Sequence, residues 1–390
     1  MTETNQRSAF EPLIYLDYAG ACPVLPEVAN GHAELCRRYV TNPHASSRYS
    51  EAAKRAILIA ERELLGALEI PAEQAQVVWT SGGTEADNLA TLGVLRRTQS
   101  ALALVDAGAH PALGEPCRQY ARREGGQCVE VPLTALGDLD LERVSPELAA
   151  RATLVAVTQV NNETGAVADL ARVRSWMREH APGAVLSVDA AQSFGKHRIP
   201  WQTAAIGALA VSARKIGGPA AVGALVIRRD LRLEPLLYGG GQQGSMRSGT
   251  VDVVGVIGAG LAARVVEASR EAESARIGAL NRCLRERLGV WTRPALRLLS
   301  PPTASPWILT FAVPGFEGAI LMRLLAERGI VVATGSACSA ESGKTSHVLR
   351  AMGVPDAVAR CVLRVSFGRH TTAEQLETFL LELRRVIDTY

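Results

Sequence analysis

Seven short runs of mostly apolar, often β-branched residues recur between positions 77 and 227 of this 390-residue chain. They lie at residues 77–80, 101–105, 128–131, 154–158, 185–188, 209–212 and 224–227. Most are separated by segments of helical length, such as residues 114–124 and 169–180. This alternation is typical of a parallel sheet with helices on both faces. The chain is therefore predicted to adopt an α/β fold with a large, mostly parallel seven-stranded sheet.

Two of these runs lead into residues of opposite charge. The run 185–188 is followed directly by Asp189, and the run 209–212 is followed within three residues by Lys215. We expect both side chains to reach one cleft, because ligands of such folds collect at the carboxyl ends of the strands. The pair suits pyridoxal phosphate, since a lysine amine can attach to its aldehyde and a carboxylate can pair with its ring nitrogen. A salt bridge at a sheet edge is the commoner explanation for two such residues alone.

A glycine-rich turn favours the cofactor site. Residues 81–84 (SGGT) follow the first apolar run and precede the helical stretch 85–90. Small residues let backbone N–H groups approach a phosphate, and the helix N-terminus adds partial positive charge. Such turns are common in α/β proteins, so this turn indicates a phosphate site only in combination with Asp189 and Lys215.

Five motifs in consistent order resemble those of the cysteine desulfurases, which are class V aminotransferase-like proteins of pyridoxal-phosphate fold type I. They are residues 80–85 (TSGGTE), 160–165 (VNNETG), 188–193 (VDAAQS), 247–250 (RSGT) and 334–339 (TGSACS). The resemblance extends from about residue 15 to the C-terminal helix. It implies a large cofactor-binding domain over residues 18–260. It also implies a smaller α+β domain, formed by residues 1–17 and 261–390, that carries the cysteine segment.

The resemblance implies a set of phosphate ligands. Gly83, Thr84 and Ser212 match residues that bind the cofactor phosphate in this family. Arg214 stands where the family usually has a histidine before the lysine, and its guanidinium can still hold phosphate. Thr250 matches a phosphate ligand that comes from the second subunit, which implies a homodimer with shared sites.

The remaining roles that the resemblance implies concern the cofactor ring and the substrate. His110 matches the histidine that stacks on the ring and can move protons near neutral pH; alone, it would be a turn histidine before proline. Asn162 and Gln192 match residues that bind the phenolic oxygen of the ring. Arg364, with Asn162 beside it, matches the arginine that binds the substrate carboxylate, for which a bidentate guanidinium is suited.

Cys338 differs from the other cysteines, which stand at positions 22, 36, 117, 128, 283 and 361. The odd number and the lack of a Cys-x-x-Cys motif indicate a reducing compartment. The other six have apolar or helical contexts and are predicted to be small packing residues. The neighbours of Cys338 are nearly all small or polar, which predicts an accessible loop. The segment around Cys338 resembles that of group I desulfurases. This resemblance implies that Cys338 is the nucleophile that takes sulfur from L-cysteine as a persulfide.

Two further departures from the family's pattern lie near the predicted site. Residues 18–20 are Tyr-Ala-Gly where the family usually has Asn-Asn-Ala, and Ala109 replaces a glutamate before the histidine. With Arg214, they favour a specialised branch, of which the DNA-phosphorothioation desulfurases are one example. The resemblance implies a protein sulfur acceptor but leaves the pathway open, because iron–sulfur assembly and tRNA thiolation also use such donors.

Two other interpretations remain open from the sequence. One is another fold type I pyridoxal-phosphate enzyme, such as a selenocysteine lyase or an aminotransferase, which would not need Cys338. The other is a scaffold without activity that only docks partner proteins. The small-residue segment around Cys338 argues against both.

The charge balance excludes two classes of partner. The 42 basic and 39 acidic residues leave a net charge of +3, which gives no electrostatic basis for binding nucleic acid or an anionic membrane. No uninterrupted apolar stretch reaches transmembrane length, and residues 1–7 lack the apolar core of a signal peptide. We expect a cytoplasmic protein.

The second half of the chain predicts a long helix and a smaller domain. Residues 254–288 are rich in Ala, Arg and Glu. Within them, residues 258–263 (GAGLAA) match a loose dinucleotide-binding fingerprint, but no return strand follows at βαβ spacing. Close helix packing explains these small residues better than a nicotinamide site. The smaller domain is predicted to contain strands at 308–313, 331–334 and 362–367 and helices at 317–328 and 346–352. A last helix is predicted to begin at a capping box, residues 371–374.

Overall fold

The structure is a computed structural model that describes residues 14–335 and 345–389. Its largest element is a seven-stranded sheet. The strands are β2 (Ala75–Thr80), β3 (Leu102–Asp106), β4 (Gln127–Val131), β5 (Ala152–Thr158), β6 (Val185–Asp189), β7 (Ala208–Ser212) and β8 (Gly223–Arg228). Their spatial order is β2-β8-β7-β6-β5-β3-β4. Strand β8 is antiparallel to β2 and β7, and the other pairs are parallel. The predicted α/β fold with a mostly parallel seven-stranded sheet is confirmed.

Both faces of this sheet are buried. The side chains of β5 divide between two hydrophobic cores, with Val155 and Val157 in one and Leu154 and Ala156 in the other. This alternation follows from the two-residue period of a strand and explains why β5 reads as an unbroken apolar run. The covering helices are α1 (Pro26–Arg38), α2 (Arg48–Ala67), α3 (Gly83–Leu95), α4 (Pro111–Arg123), α5 (Pro146–Ala150), α6 (Leu170–His180) and α7 (Val253–Gly289).

A smaller unit with its own core packs beside the large sheet. Its strands are β1 (Ile14–Tyr15), β9 (Arg297–Leu298), β10 (Ile308–Ala312), β11 (Ile330–Val331) and β12 (Val362–Ser366). Its helices are α8 (Gly318–Glu327), His347–Ala351, Asp356–Ala359 and the C-terminal helix Ala373–Thr389. Strand β1 pairs with β11, and residues from the first strand to the last helix share one core. Residue 260, the predicted domain boundary, lies inside α7.

The small residues 258–263 pack helices against one another. A Cβ atom at Gly260 would lie 2.7 Å from the Cα of Ala60 in α2, and one at Gly258 would lie 2.8 Å from Pro219. Contacts this short leave room for glycine only, which confirms that the segment serves close packing. None of the helices that the structure describes is both long and apolar enough to cross a membrane.

The predicted capping box lies one residue later than expected. The reciprocal hydrogen bonds run from the N–H of Thr372 to the side chain of Gln375 and from the N–H of Gln375 to Oγ1 of Thr372. Thr371 instead accepts from the N–H of Gly368. Two adjacent threonines followed by Glu and Gln satisfy the same pattern in two registers, and the contact of Thr371 with the preceding turn selects the second.

Candidate active site

One cleft of about 650 Å³ collects most of the predicted site residues. It lies at the carboxyl ends of β5, β6 and β7 and has the size of a typical ligand pocket. The predicted residues that line it are Gly83, Thr84, His110, Asn162, Asp189, Gln192, Ser212, Arg214, Lys215 and Arg364. Thr250 is not among the residues that line this cleft, and Cys338 lies outside the described residues.

The glycine turn before α3 packs directly against the tops of β7 and β8. A Cβ at Gly83 would lie 3.3 Å from the Cβ of Ser212, and one at Gly223 would lie 2.4 Å from the carbonyl carbon of Gly82. Gly82 has a φ of 149°, which favours glycine. The turn therefore brings the N-terminus of α3, with Thr84, beside Ser212. Free N–H groups and hydroxyls in this arrangement suit a phosphate.

The floor of the cleft carries a buried carboxylate. Asp189 ends β6, is 5 % exposed, and accepts at Oδ1 from the N–H of Ala191 at 2.8 Å. Burial raises the pKa of Asp189, while His110 and Lys215 act in the opposite direction. A buried carboxylate of this kind is suited to hold a protonated ring nitrogen.

His110 is the N-cap residue of α4 and lies at the cleft wall. Its Nδ1 accepts from the N–H of Ala112 at 3.1 Å, and burial lowers the pKa of His110. The accepting Nδ1 places the proton of the neutral ring on Nε2. The imidazole is therefore fixed in one orientation and one tautomer, as a residue that stacks on a ring requires.

A second buried carboxyl, that of Asp87, was missed by sequence reasoning. Asp87 lies on α3, is 2 % exposed and lines the same cleft. Its Oδ1 has no hydrogen-bond partner among the described residues. Burial and the charge of Asp189 raise the pKa of Asp87 well above its ordinary value. Two neighbouring buried carboxyls do not both ionise readily, so Asp87 and Asp189 titrate as a pair.

Two main-chain carbonyls hold the amine of Lys215. Its Nζ donates to the carbonyl oxygens of Ala19 at 2.7 Å and of Gly20 at 2.6 Å. Burial lowers the pKa of Lys215 to about 8, and the charge of Lys196 acts in the same direction. An amine with this pKa is partly uncharged near neutral pH, so it can act as a nucleophile and as a base.

The guanidinium of Arg364, on β12, is fixed at the edge of the cleft. Its Nη2 donates to Oδ1 of Asp17 at 2.6 Å, and its Nη1 donates to the carbonyl oxygen of Asn162 at 2.7 Å. Its buried Nε has no partner in the part of the chain that the structure describes. A rigidly held guanidinium with unused N–H groups suits a carboxylate.

Thr250 is exposed on a loop that is tied to the phosphate turn. Nε of Arg247, three residues earlier, pairs with Oε1 of Glu85 at 2.8 Å, and Oε2 of Glu85 accepts from the N–H of Ser81 at 2.7 Å. This ion pair was not predicted. Its sequence signal is that a glutamate ends the motif 80–85 and an arginine begins the motif 247–250.

The buried Glu163 lies next to residues on both sides of the Cys338 segment. Gly335, the last residue described before it, lines the cleft. A Cβ at Gly335 would lie 3.0 Å from Oε2 of the buried Glu163, and the same oxygen accepts from the hydroxyl of Ser346. Glu163 therefore contacts residues on both sides of the segment.

The prediction that six cysteines are packing residues is partly wrong. Cys117 is buried, but Cys36 on α1 and Cys283 on α7 are exposed. Both do lie on helices, where a position in a helical stretch does not by itself select the buried face. Exposure therefore does not single out one thiol, and a test of the nucleophile has to include Cys36 and Cys283.

The residues of the cleft fit pyridoxal phosphate. The close turn at Gly82 and Gly83 matches a phosphate, the buried Asp189 matches a ring nitrogen, and the amine of Lys215 matches an aldehyde. The guanidinium of Arg364, held by Asp17 and Asn162, matches a substrate carboxylate at the edge of the cleft.

The chain is similar to known proteins over nearly its whole length. The family model "Aminotransferase class-V" matches residues 14–379. Over 384 aligned residues the chain is 34% identical to cysteine desulfurase IscS of Klebsiella pneumoniae. This alignment covers 96% of this chain and 92% of that protein. The structure of a NifS-like protein aligns with a TM-score of 0.88 at 25% identity, over 97% of this chain and 100% of that one. SspA in complex with cysteine aligns with a TM-score of 0.77 at 26% identity, over 92% and 100%.

Proposed function

The chain belongs to the class-V aminotransferase family and, within it, to the cysteine desulfurases, and we propose that it transfers the sulfur of L-cysteine to Cys338. The proposed products are L-alanine and a Cys338 persulfide, so one thiol and one cysteine account for all atoms. We further propose that the persulfide sulfur passes to a protein acceptor in the cytoplasm, and that pyridoxal phosphate is the cofactor.

The observation that carries this proposal is the meeting of three groups in one cleft. Asp189 is a buried carboxylate, Lys215 a weakly basic amine, and Arg364 a fixed guanidinium. An amino-acid substrate of a pyridoxal-phosphate enzyme needs a group for its carboxylate, a base for its Cα proton and a partner for the ring nitrogen. A scaffold that only docks partners has no use for this set.

The cofactor would be held by side chains from several strand ends. When bound, pyridoxal phosphate supplies an electron sink for the bond that breaks at Cα. Asp189 would pair with the ring nitrogen, His110 would cover one ring face, and Asn162 and Gln192 would bind the phenolic oxygen. The phosphate would be bound by Gly83, Thr84, Ser212 and Arg214, together with Thr250 of a second copy of the chain.

The residues of the chain divide the proposed reaction between them. Arg364 binds the carboxylate of L-cysteine and orients its Cα. Lys215 removes the Cα proton, for which its lowered pKa is suited. Cys338 attacks the substrate sulfur as a thiolate, because the thiol is a poor nucleophile. The carbon–sulfur bond breaks as the sulfur–sulfur bond forms, and a proton completes the methyl group of alanine.

The proposed activity is tested by incubating the full chain with L-cysteine and dithiothreitol. We expect alanine and sulfide in equal amounts, because dithiothreitol releases the persulfide sulfur and restores Cys338. L-serine should give no alanine. Transfer of the amino group to a keto acid, or turnover of L-selenocysteine with none of L-cysteine, would instead support an aminotransferase or a selenocysteine lyase.

Arg364→Lys should raise the KM for L-cysteine by about 10- to 100-fold while changing kcat much less. An ammonium can keep the pair with Asp17 but cannot bind a carboxylate through two N–H groups, and charged hydrogen bonds are worth about 1.5–3 kcal/mol. Steady-state alanine formation measures both constants. The exposed Arg360 is the matched control, and Arg360→Lys should leave both unchanged. An unaltered KM in Arg364→Lys would remove Arg364 from the substrate site.

A test across subunits follows from the position of Thr250. We propose that the holoenzyme is a homodimer in which Thr250 completes the phosphate site of the partner chain. Thr250→Ala should bind pyridoxal phosphate about tenfold more weakly, since one hydrogen bond to a charged group is lost, and the exposed Thr98→Ala should not. Sedimentation at micromolar concentration should give a dimer.

Co-expression of Thr250→Ala with Lys215→Ala tests the sharing directly. The mixed dimer has one complete site if Thr250 acts across the interface, because the intact Lys215 and the intact Thr250 then meet. Cysteine turnover should rise above that of either parent at low cofactor concentration. A fully active monomer, or no rise in the mixed dimer, would contradict the shared site.

A further inference from the structure

A buried lysine that is not among the predicted site residues lies near Lys215, at the same cavity. Lys196, in the turn after β6, is 8 % exposed. Its Nζ donates to Oε1 of Gln192 at 3.4 Å and lies 5.7 Å from the centre of the Trp307 ring. Among residues 14–335 and 345–389, no carboxylate forms an ion pair with it. Burying an ammonium without a carboxylate is costly, and the long contact to Gln192 and the aromatic face offset only part of that cost.

Lys196 is connected to Lys215 through two intervening groups. The amide of Gln192 accepts from Lys196 at Oε1 and donates from Nε2 to the carbonyl oxygen of Ala19 at 2.8 Å. The same carbonyl accepts from Nζ of Lys215. Because an amide has one accepting end and one donating end, the contact with Lys196 fixes Nε2 toward Ala19.

The two lysines also border one small cavity. Its volume is about 60 Å³, and Cys22 and Trp307 line it as well. The charge of Lys196 adds to burial in lowering the pKa of Lys215. Burial lowers the pKa of Lys196 itself, and the Cys22 thiol acts against that. Low polarity around the cavity strengthens the repulsion between the two amines.

Other charged groups also face the two amines. Arg364 lowers the pKa of Lys215, whereas Cys22 and Asp17 raise it. Asp189 and His110 lie on the cleft side of Lys215. Beside Lys196, the pKa of His197 is lowered to about 4 by burial and by Lys196, so His197 is neutral above that pH. The cavity is also bordered by Tyr18, Arg270, Glu273, Arg369 and His370. Among the described residues, Lys196 and Arg364 are the cations that lower the pKa of Lys215, and Lys196 is the one outside the substrate site.

We propose that Lys196 is a positioning residue that fixes Gln192 toward Ala19 and, by its charge, favours the uncharged form of the free amine of Lys215. The catalytic benefit of an uncharged Lys215 rests on the proposed function, because an uncharged amine can take the Cα proton and can attach to an aldehyde. The contact and the repulsion do not depend on it.

The proposal is tested on the full chain, freed of cofactor with hydroxylamine and dialysed, by labelling with an amine-selective reagent across a pH series. Mass spectrometry then gives the labelling rate of Lys215. In wild type the rate should reach half its maximum near the pKa of about 8. In Lys196→Met we expect about tenfold slower labelling at pH 7, which corresponds to a rise of about one pH unit.

Two further variants separate the contributions of charge and contact. Lys196→Arg keeps the charge and should label within about twofold of wild type. Lys196→Gln removes the charge and keeps a polar N–H group on a side chain one bond shorter, so it should be slowed like Lys196→Met. It also keeps the proposal testable if the methionine variant unfolds in a thermal melt. Lys54→Met, at a lysine whose side chain is 43% exposed, is the matched control and should label like wild type.

Unchanged labelling of Lys215 in Lys196→Met and Lys196→Gln would overturn the role of Lys196, whether or not the chain turns over L-cysteine. If the Lys196 variants were labelled more slowly but the wild-type protein formed no alanine, the effect of Lys196 on Lys215 would stand. The proposed function would then be overturned instead. In the holoenzyme, the pH at which the visible absorbance changes should be higher in Lys196→Met and Lys196→Gln than in wild type. It should be unchanged in Lys196→Arg.

Discussion

Lys215→Ala is expected to purify without visible absorbance and to form alanine from L-cysteine about a thousandfold more slowly than wild type, or slower. Lys215 is both the amine that can attach to pyridoxal phosphate and the proposed base for the Cα proton. Its loss therefore removes the covalent link and the proton transfer together. A spectrum after dialysis and an alanine assay measure the two effects.

Two variants control for this result. Lys215→Arg keeps a positive charge at the site but cannot deprotonate in a protein, so it should be as inactive as Lys215→Ala. Lys54→Ala removes an exposed lysine that pairs with Glu51 and should keep both colour and activity. A Lys215→Ala protein that retained its absorbance through dialysis would overturn the cofactor assignment.

Cys338→Ser is expected to keep the cofactor and still bind L-cysteine, because neither step uses the thiol. It should lose alanine and sulfide production by several orders of magnitude, since a serine hydroxyl cannot accept sulfur as a persulfide. Binding is followed by the change in visible absorbance on adding L-cysteine. Turnover is followed by alanine formation with dithiothreitol present.

The other cysteines provide the comparison for that variant. Cys36→Ser and Cys283→Ser remove exposed thiols on helices and should stay near wild-type activity. Activity that survived Cys338→Ser but vanished in one of these would mean that the wrong cysteine was chosen. Activity in all seven single variants would remove the desulfurase mechanism and favour an aminotransferase or a lyase.

The sheet and the centre of the site could be predicted because both depend on local patterns. Each of the seven apolar runs became a strand, with bounds that moved by one or two residues. Asp189 and Lys215 meet because parallel strands expose their carboxyl ends at one edge, a rule that needs no coordinates. The turn at residues 81–84 joins them for the same reason.

The groups that tune the site could not be predicted, because they depend on packing between distant parts of the chain. The carbonyl of Ala19 reaches Lys215 only because the N-terminal strand pairs within the smaller unit. Lys196 and Asp87 look like ordinary surface charges in the sequence, yet both are buried next to charged groups of the site. The exposure of Cys36 likewise depends on which face of α1 packs.

Sulfur transfer to Cys338 is tested most directly by a single turnover followed by mass spectrometry. The holoenzyme is mixed with one equivalent of L-cysteine without reductant, alkylated and digested. We expect one equivalent of alanine and one added sulfur atom on the peptide that contains Cys338, and dithiothreitol should remove that sulfur. Alanine release with the added sulfur on a different cysteine, or on none, would contradict it.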